Sequence, residues 1–168
     1  MKKIIVLLAF GTAVFGQPEG IREREVTVGQ GEWALGGTLS VPGGPGPFPA
    51  VVLVHGSGPS DRDETIGPNK PFRDLAWGFA RRGIAVLRYD KRTKLHGARM
   101  VAEKIVPTVE LETIDDAVAA VALLRQTPEV DPARVFVFGH SMGGSLAPRI
   151  ASRSEGVAGI VIAAGSTR

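Results

Sequence analysis

The sequence predicts an α/β fold: a mainly parallel sheet with an antiparallel N-terminal hairpin and flanking helices. Two observations carry this. From Ala50 onward, short apolar runs alternate with segments of helical period, the pattern of parallel strands joined by crossover helices. The runs AVVLVHG (50–56), IAVLRYD (84–90), VFVFG (135–139) and VAGIVIAAG (157–165) are also continuously apolar rather than alternating. That is how strands buried on both faces of a parallel sheet read.

The elements follow in order. Residues 23–41 hold two β-branched stretches separated by Gly29–Gly31, which predicts an antiparallel hairpin. PGGPGPFP (42–49) has too many prolines and glycines for helix or central strand and is expected to be a surface connection. Phe72–Arg82 places Leu75 and Phe79 on one helical face and is closed by Gly83. A basic stretch after Asp90 shows no period and is expected to be irregular. Val109–Arg125 has Leu111, Ile114, Val118, Val121 and Leu124 at helical spacing, with acids early and Arg125 last, a polarity that suits the helix dipole. TPEVDPAR (127–134) reads as a turn, and Met142–Ser152 as a helix bent at Pro148, which lacks a backbone donor.

The first 16 residues form a unit of their own. Lys2 and Lys3 precede an apolar run from Ile4 to Phe10 and small residues ending at Gly16. This is the layout of a secretory signal peptide, and the run is short for a membrane span. The expected divisions are therefore a signal peptide over 1–16 and one domain over 17–168, in a secreted or periplasmic protein. Loss of the leader removes two lysines and lowers the formal charge from +3 to +1. The pI near 9.6 thus gives no case for nucleic acid, and the clusters Arg81–Arg82 and Lys91–Arg92 read as solvated surface. With no cysteine there is no disulfide framework, and no His, Cys, Asp or Glu grouping has metal-ligand spacing. No cofactor and no metal are expected, and no stable membrane insertion after leader cleavage. The sequence sets no oligomeric state.

GHSMG (139–143) fits G-x-S-x-G and is the only match in the chain. Alone the motif is weak, but here it stands between a buried strand and a helix. There a tight turn lifts a serine above the sheet, and Gly139 and Gly143 let strand and helix approach each other. Ser141 is thus the candidate nucleophile. HGSG (55–58) ends the first parallel strand and is the candidate second half of an oxyanion hole. Met142 would give one backbone N–H and Ser57 or Gly58 the other, with Gly56 and Gly58 allowing close approach. A phosphate loop is disfavoured, because Gly56 and Gly58 are followed by Asp61 and no G-K-[ST] is present. His55 and His140 are expected to pack or hydrogen-bond rather than act as bases, and His96 to be solvated in its basic loop. Asp61, Asp63 and Asp90 read as turn and ion-pair residues.

AVVLVHGSGPSDRDE, GIAVLRYDKRT and VDPARVFVFGHSMGG, in this order and spacing, resemble the α/β-hydrolase superfamily. Within it they are similar to secreted bacterial carboxylesterases of the serine-aminopeptidase-like and dienelactone-hydrolase-like branches. The resemblance implies a serine hydrolase that cleaves carboxylic esters of small molecules through an acyl-enzyme on Ser141. It also implies that the triad acid and histidine follow later strands, so that neither is in this chain, which then holds the N-terminal two-thirds of the fold and is inactive alone. A dienelactone hydrolase would carry cysteine as nucleophile, so Ser141 points to the esterase or peptidase side. Lys91–Arg92–Thr93 departs from the arginine-glycine turn of many relatives. A peptidase, an acyltransferase or thioesterase of the same fold, and a non-catalytic binding protein are the alternatives.

Overall fold

The computed structural model describes residues 19–166, so the leader expected over 1–16 lies outside the described residues. Six strands form one mixed sheet in the order β1-β2-β4-β3-β5-β6. β1 (Ile21–Val28) and β2 (Leu35–Pro42) are the antiparallel hairpin, joined through a 3₁₀ turn at Gly31–Trp33. β2 runs antiparallel to β4 (Ala85–Tyr89). β4, β3 (Phe48–Val54), β5 (Val130–His140) and β6 (Val157–Ala163) are mutually parallel.

Burial explains why those apolar runs became strands. Alternate residues of one strand face opposite sides of the sheet. Val52, Val54, Leu87 and Val137 pack with α3 (Asp115–Arg125) and α4 (Met142–Arg153), through Ala117, Val121, Leu124, Ala147 and Ile150. Val51, Leu53 and Val86 pack on the other face against Phe72 and Ala76 of α1 (Pro71–Ala80). With helices on both faces, β3 and β4 have no polar side to show, and their alternation disappears from the sequence.

Four sequence expectations need correction. The Pro/Gly connection ends at Phe48, and β3 runs through Pro49. Proline is tolerated there because the β3–β5 register shifts between Phe48 and Ala50, so the missing N–H breaks no regular rung. β5 begins at Val130, inside the expected turn, where Phe48 pairs with Val130 and Phe48 N–H donates to Glu129 O at 2.8 Å. The stretch after Asp90 is not irregular: α2 spans Arg92–Ala102. Met100 is its one buried residue, so no apolar stripe marked it. Polar and aromatic contacts hold it instead: Arg92 pairs with Asp116, and His96 meets the Trp33 ring edge-on at 5.3 Å. Finally, the helix expected from Val109 opens as a π-helical turn at Glu110–Ile114 before α3 begins.

Candidate functional site

The parallel strands deliver three loops to one end of the sheet, where such folds place ligands. β5 ends at His140, Ser141 follows, and α4 starts at Met142. Ser141 has φ 52° and ψ −116°. A non-glycine residue there is strained by on the order of 1–3 kcal/mol, so the surroundings must hold it. They do so on both sides: Ser141 N–H donates to Ala163 O at 2.8 Å, and Ser145 N–H donates to Ser141 O at 3.0 Å.

The neighbouring glycines are required by space. A Cβ on Gly139 would fall well under 3.0 Å from Gly143 O, and one on Gly143 equally close to Val54 O and His55 O. Strand, turn and helix therefore nest in direct backbone contact. Met142 is the first residue of α4, so its N–H lacks an intrahelical acceptor and sits at the positive end of the helix dipole.

The loop after β3 lies against this turn. A Cβ on Gly56 would stand 3.3 Å from Ser141 Cβ, which places the Gly56 backbone beside the serine. Ser57 and Gly58 are exposed, and Gly58 has φ +91°, a conformation that favours glycine. The structure thus brings Gly56, Gly139, Ser141, Met142 and Gly143 together, with Ser57 and Gly58 on the open side. A cavity of about 250 Å³ lined mainly by Glu64, Ile66, Phe72, Leu75, Phe138 and His140 reaches the residue before Ser141 but none of these site residues.

Each histidine is committed elsewhere. His55 Nε2 lies 3.0 Å from Asp61 O, and its ring is buried between Phe72 and Tyr89. Burial, with Lys91 adding to it, pushes His55 down to about 4, so it is neutral at pH 7. His140 Nδ1 lies 3.0 Å from Glu64 Oε1. His96 is a correction: it is half-buried in α2 with Nε2 3.0 Å from Ala34 O, because Trp33 and the β1–β2 connection cover it. No histidine hydrogen-bonds Ser141 among the described residues. Asp90 is bound by Arg62, with the Asp90 Oδ2–Arg62 Nη2 contact at 2.7 Å, and Asp61 Oδ1 caps the N–H groups of Asp63 and Thr65. Asp63 pairs with Lys70 and with the buried Arg88. Among the described residues no cluster of His, Cys, Asp or Glu could hold a metal ion.

A second correction concerns Lys91 and Arg92. Arg81 and Arg82 are exposed as expected, but Lys91 is 1% exposed and Arg92 is engaged with Asp116. Lys91 Nζ donates to Gly56 O at 2.8 Å and lies 3.4 Å from Glu112 Oε1. Glu64 is also buried, and its Oε1 accepts the Gly56 N–H at 2.8 Å. Sequence reasoning missed Glu64, Lys91 and Glu112. The usable signal was Lys91 directly after a buried strand, at the end of the sheet where the other loops gather.

Comparison with known proteins places this geometry. A profile described as the alpha/beta hydrolase family matches residues 51–168. Esterase EstD of Thermotoga maritima is 50% identical over 149 residues, covering 87% of this chain and 33% of that protein. The mitochondrial acyl-coenzyme A thioesterase 2 of Homo sapiens is 30% identical over 152 residues, 89% of this chain and 26% of that protein. The chain thus spans about a third or less of the length of these curated relatives. A dienelactone hydrolase from Anabaena variabilis has the same architecture, with TM-score 0.65 at 29% identity over 84% of this chain and 62% of that one. Brefeldin A esterase shares the fold at 19% identity, with TM-score 0.60 over 94% of this chain and 43% of that one. With that profile covering the sheet from β3 onward and the strained serine between β5 and α4, the chain belongs to the alpha/beta hydrolase family.

Proposed function

We propose that the protein is a serine hydrolase that cleaves carboxylic esters of small molecules through an acyl-enzyme on Ser141. One observation carries this reading: Ser141 is held at φ 52° and ψ −116° between strand and helix, with the Gly56 backbone against it. Strain of that kind persists where the fold maintains it, and it serves to present a side chain.

In the proposed reaction Ser141 Oγ attacks the ester carbonyl carbon and gives its proton to a general base. The carbonyl π electrons move to oxygen, and the N–H groups of Met142 and of Ser57 or Gly58 receive that negative charge. The C–O bond to the alcohol then breaks, and the base returns its proton to the departing oxygen. Water next attacks the acyl carbon, gives one proton to the base, and the acid leaves as Ser141 Oγ is reprotonated. Among the described residues none of His55, His96 and His140 hydrogen-bonds Ser141, and we propose none of them as that base. The family resemblance assigns base and orienting acid to later segments of the fold. The chemistry needs no cofactor.

The 50% identity to a protein named an esterase supports an oxygen ester as substrate. The likeness to acyl-coenzyme A thioesterases supports a second reading, a thioester substrate, which changes only the leaving group. We also propose export, from the leader-like residues 1–16; the mature N-terminal mass tests it, and retention of Met1 in the mature protein contradicts it. The main test is turnover of p-nitrophenyl esters and acyl-coenzyme A by the protein expressed from its complete reading frame. Ser141→Ala is expected to lower kcat by at least about 10³-fold, since the nucleophile anchors the whole constellation. Ester turnover that survives the substitution overturns the reading.

A further inference from the structure

Gly56 is gripped on the peptide before it and on the peptide after it by side chains that the proposed chemistry does not itself use. Gly56 N–H donates to Glu64 Oε1 at 2.8 Å, and Lys91 Nζ donates to Gly56 O at 2.8 Å. Both side chains are buried. A lysine in that position is costly unless its donors are used and its charge is balanced. Gly56 O takes one donor, and Glu112 Oε1 stands 3.4 Å from Nζ. Glu112 comes from the π-helical turn and also accepts the Thr93 hydroxyl, so the irregular turn delivers a counter-charge to the lysine. Burial pushes the Lys91 ammonium pKa down, and Glu112 followed by Glu64 oppose that shift.

A trans peptide points its C=O and its N–H in opposite directions. Gly56–Ser57 is trans, Gly46–Pro47 being the cis peptide in this structure. Holding Gly56 O on a buried ammonium therefore turns the Ser57 N–H away from the interior. It faces the side where Ser57 and Gly58 are exposed and Ser141 is a neighbour. Among the described residues nothing accepts a hydrogen bond from that N–H. Gly56 precedes the peptide and Gly58 follows Ser57, so without the grip this stretch would sample many orientations, and a donor must be fixed in advance to favour a transition state.

We propose that Lys91 is a positioning residue for the hydrolysis: by holding the Gly56 carbonyl it aims the Ser57 N–H at the oxyanion formed when Ser141 attacks, with Glu64 anchoring the other side of Gly56. The inference rests on the reading of Ser141 as nucleophile. It selects Ser57 over Gly58 as the second donor. Glu64 also meets His140 Nδ1 at 3.0 Å, so one carboxylate ties the oxyanion loop to the residue preceding Ser141.

The test uses the protein from its complete reading frame, a p-nitrophenyl ester, and an alkyl trifluoromethyl ketone that forms a tetrahedral adduct on serine. Lys91→Met keeps the length of the side chain and removes the donor. It is expected to lower kcat about 10- to 100-fold with KM changed less than about threefold, and to weaken the ketone by the same factor as kcat/KM. A purely structural role would lower the thermal midpoint and leave kcat and ketone affinity unchanged. Folded Lys91→Met with kcat within about twofold of the parent overturns the inference alone. Turnover that survives Ser141→Ala overturns the nucleophile reading and this inference with it. If Lys91→Met does not fold, the unsubstituted protein decides. The Ser57 amide proton moves downfield in the ketone adduct if it is the donor, and an unmoved Ser57 resonance overturns the inference.

Discussion

At the residue scale, small differences in backbone space separate glycines that the sequence shows as equals. Gly139 and Gly143 lie where a Cβ would overlap backbone atoms that have no room to move, whereas Gly97, within α2, has nothing within 4 Å. Gly139→Ala and Gly143→Ala are each expected to lose at least about 3 kcal/mol in urea unfolding, and Gly97→Ala to gain up to about 1 kcal/mol. Equal midpoints for the three variants would contradict the packing described. His55 gives a second residue-scale expectation. Burial lowers its folded pKa to about 4, beneath the ordinary value of 6.5. The unfolded chain therefore binds more protons than the folded one between those values. The contribution is fully present above pH 6.5 and is lost as pH falls toward 4, amounting to about 3 kcal/mol. Unfolding free energies measured at pH 7, 5.5 and 4 should show this loss, and His55→Gln should flatten it; a variant with the parent's slope contradicts the assignment. Ser141 and its flanking glycines were legible because strain and close approach demand particular residue types at fixed spacing. Lys91 and Glu64 were not, because a buried charge looks like a surface charge until its partners from distant segments are in place.

At the element scale, legibility followed burial. β3, β4 and β5 announced themselves because both their faces are covered, and α3 because its apolar face recurs at 3.6 residues. α2 buries one residue and is held by Arg92–Asp116 and by Trp33 packing on His96, contacts with no sequence period. α4 carries an exposed proline in its interior, Pro148, which leaves Gly144 O without its intrahelical donor. Pro148→Ala restores that bond and is expected to stabilise the protein by on the order of 2 kcal/mol in thermal or urea unfolding. Unchanged or reduced stability would contradict the account of Pro148 as a break in the helical ladder.

At the scale of the whole molecule, the sheet order places β3 between β4 and β5, and this adjacency assembles the candidate site. The loop after β3, the lysine after β4 and the serine after β5 are separated in sequence by 35 residues or more, yet they meet at the same end of the sheet. The sequence foretold a parallel sheet from the alternation of elements but held no direct record of strand order. It therefore singled out Ser141 and the glycines as candidates and left the grip on Gly56 unseen. β6 is an edge strand of the described sheet, with Ile160 and Val161 exposed. Ser141 is the proposed nucleophile, and the site of covalent modification is the measurement that tests it most directly. The protein expressed from its complete reading frame would be treated with a fluorophosphonate, digested, and read by mass spectrometry. The expected result is a single phosphonylated peptide with the adduct on Ser141, formed in step with loss of ester turnover and absent from Ser141→Ala. Complete loss of turnover with the adduct on another residue, or full modification of Ser141 with turnover intact, would contradict it.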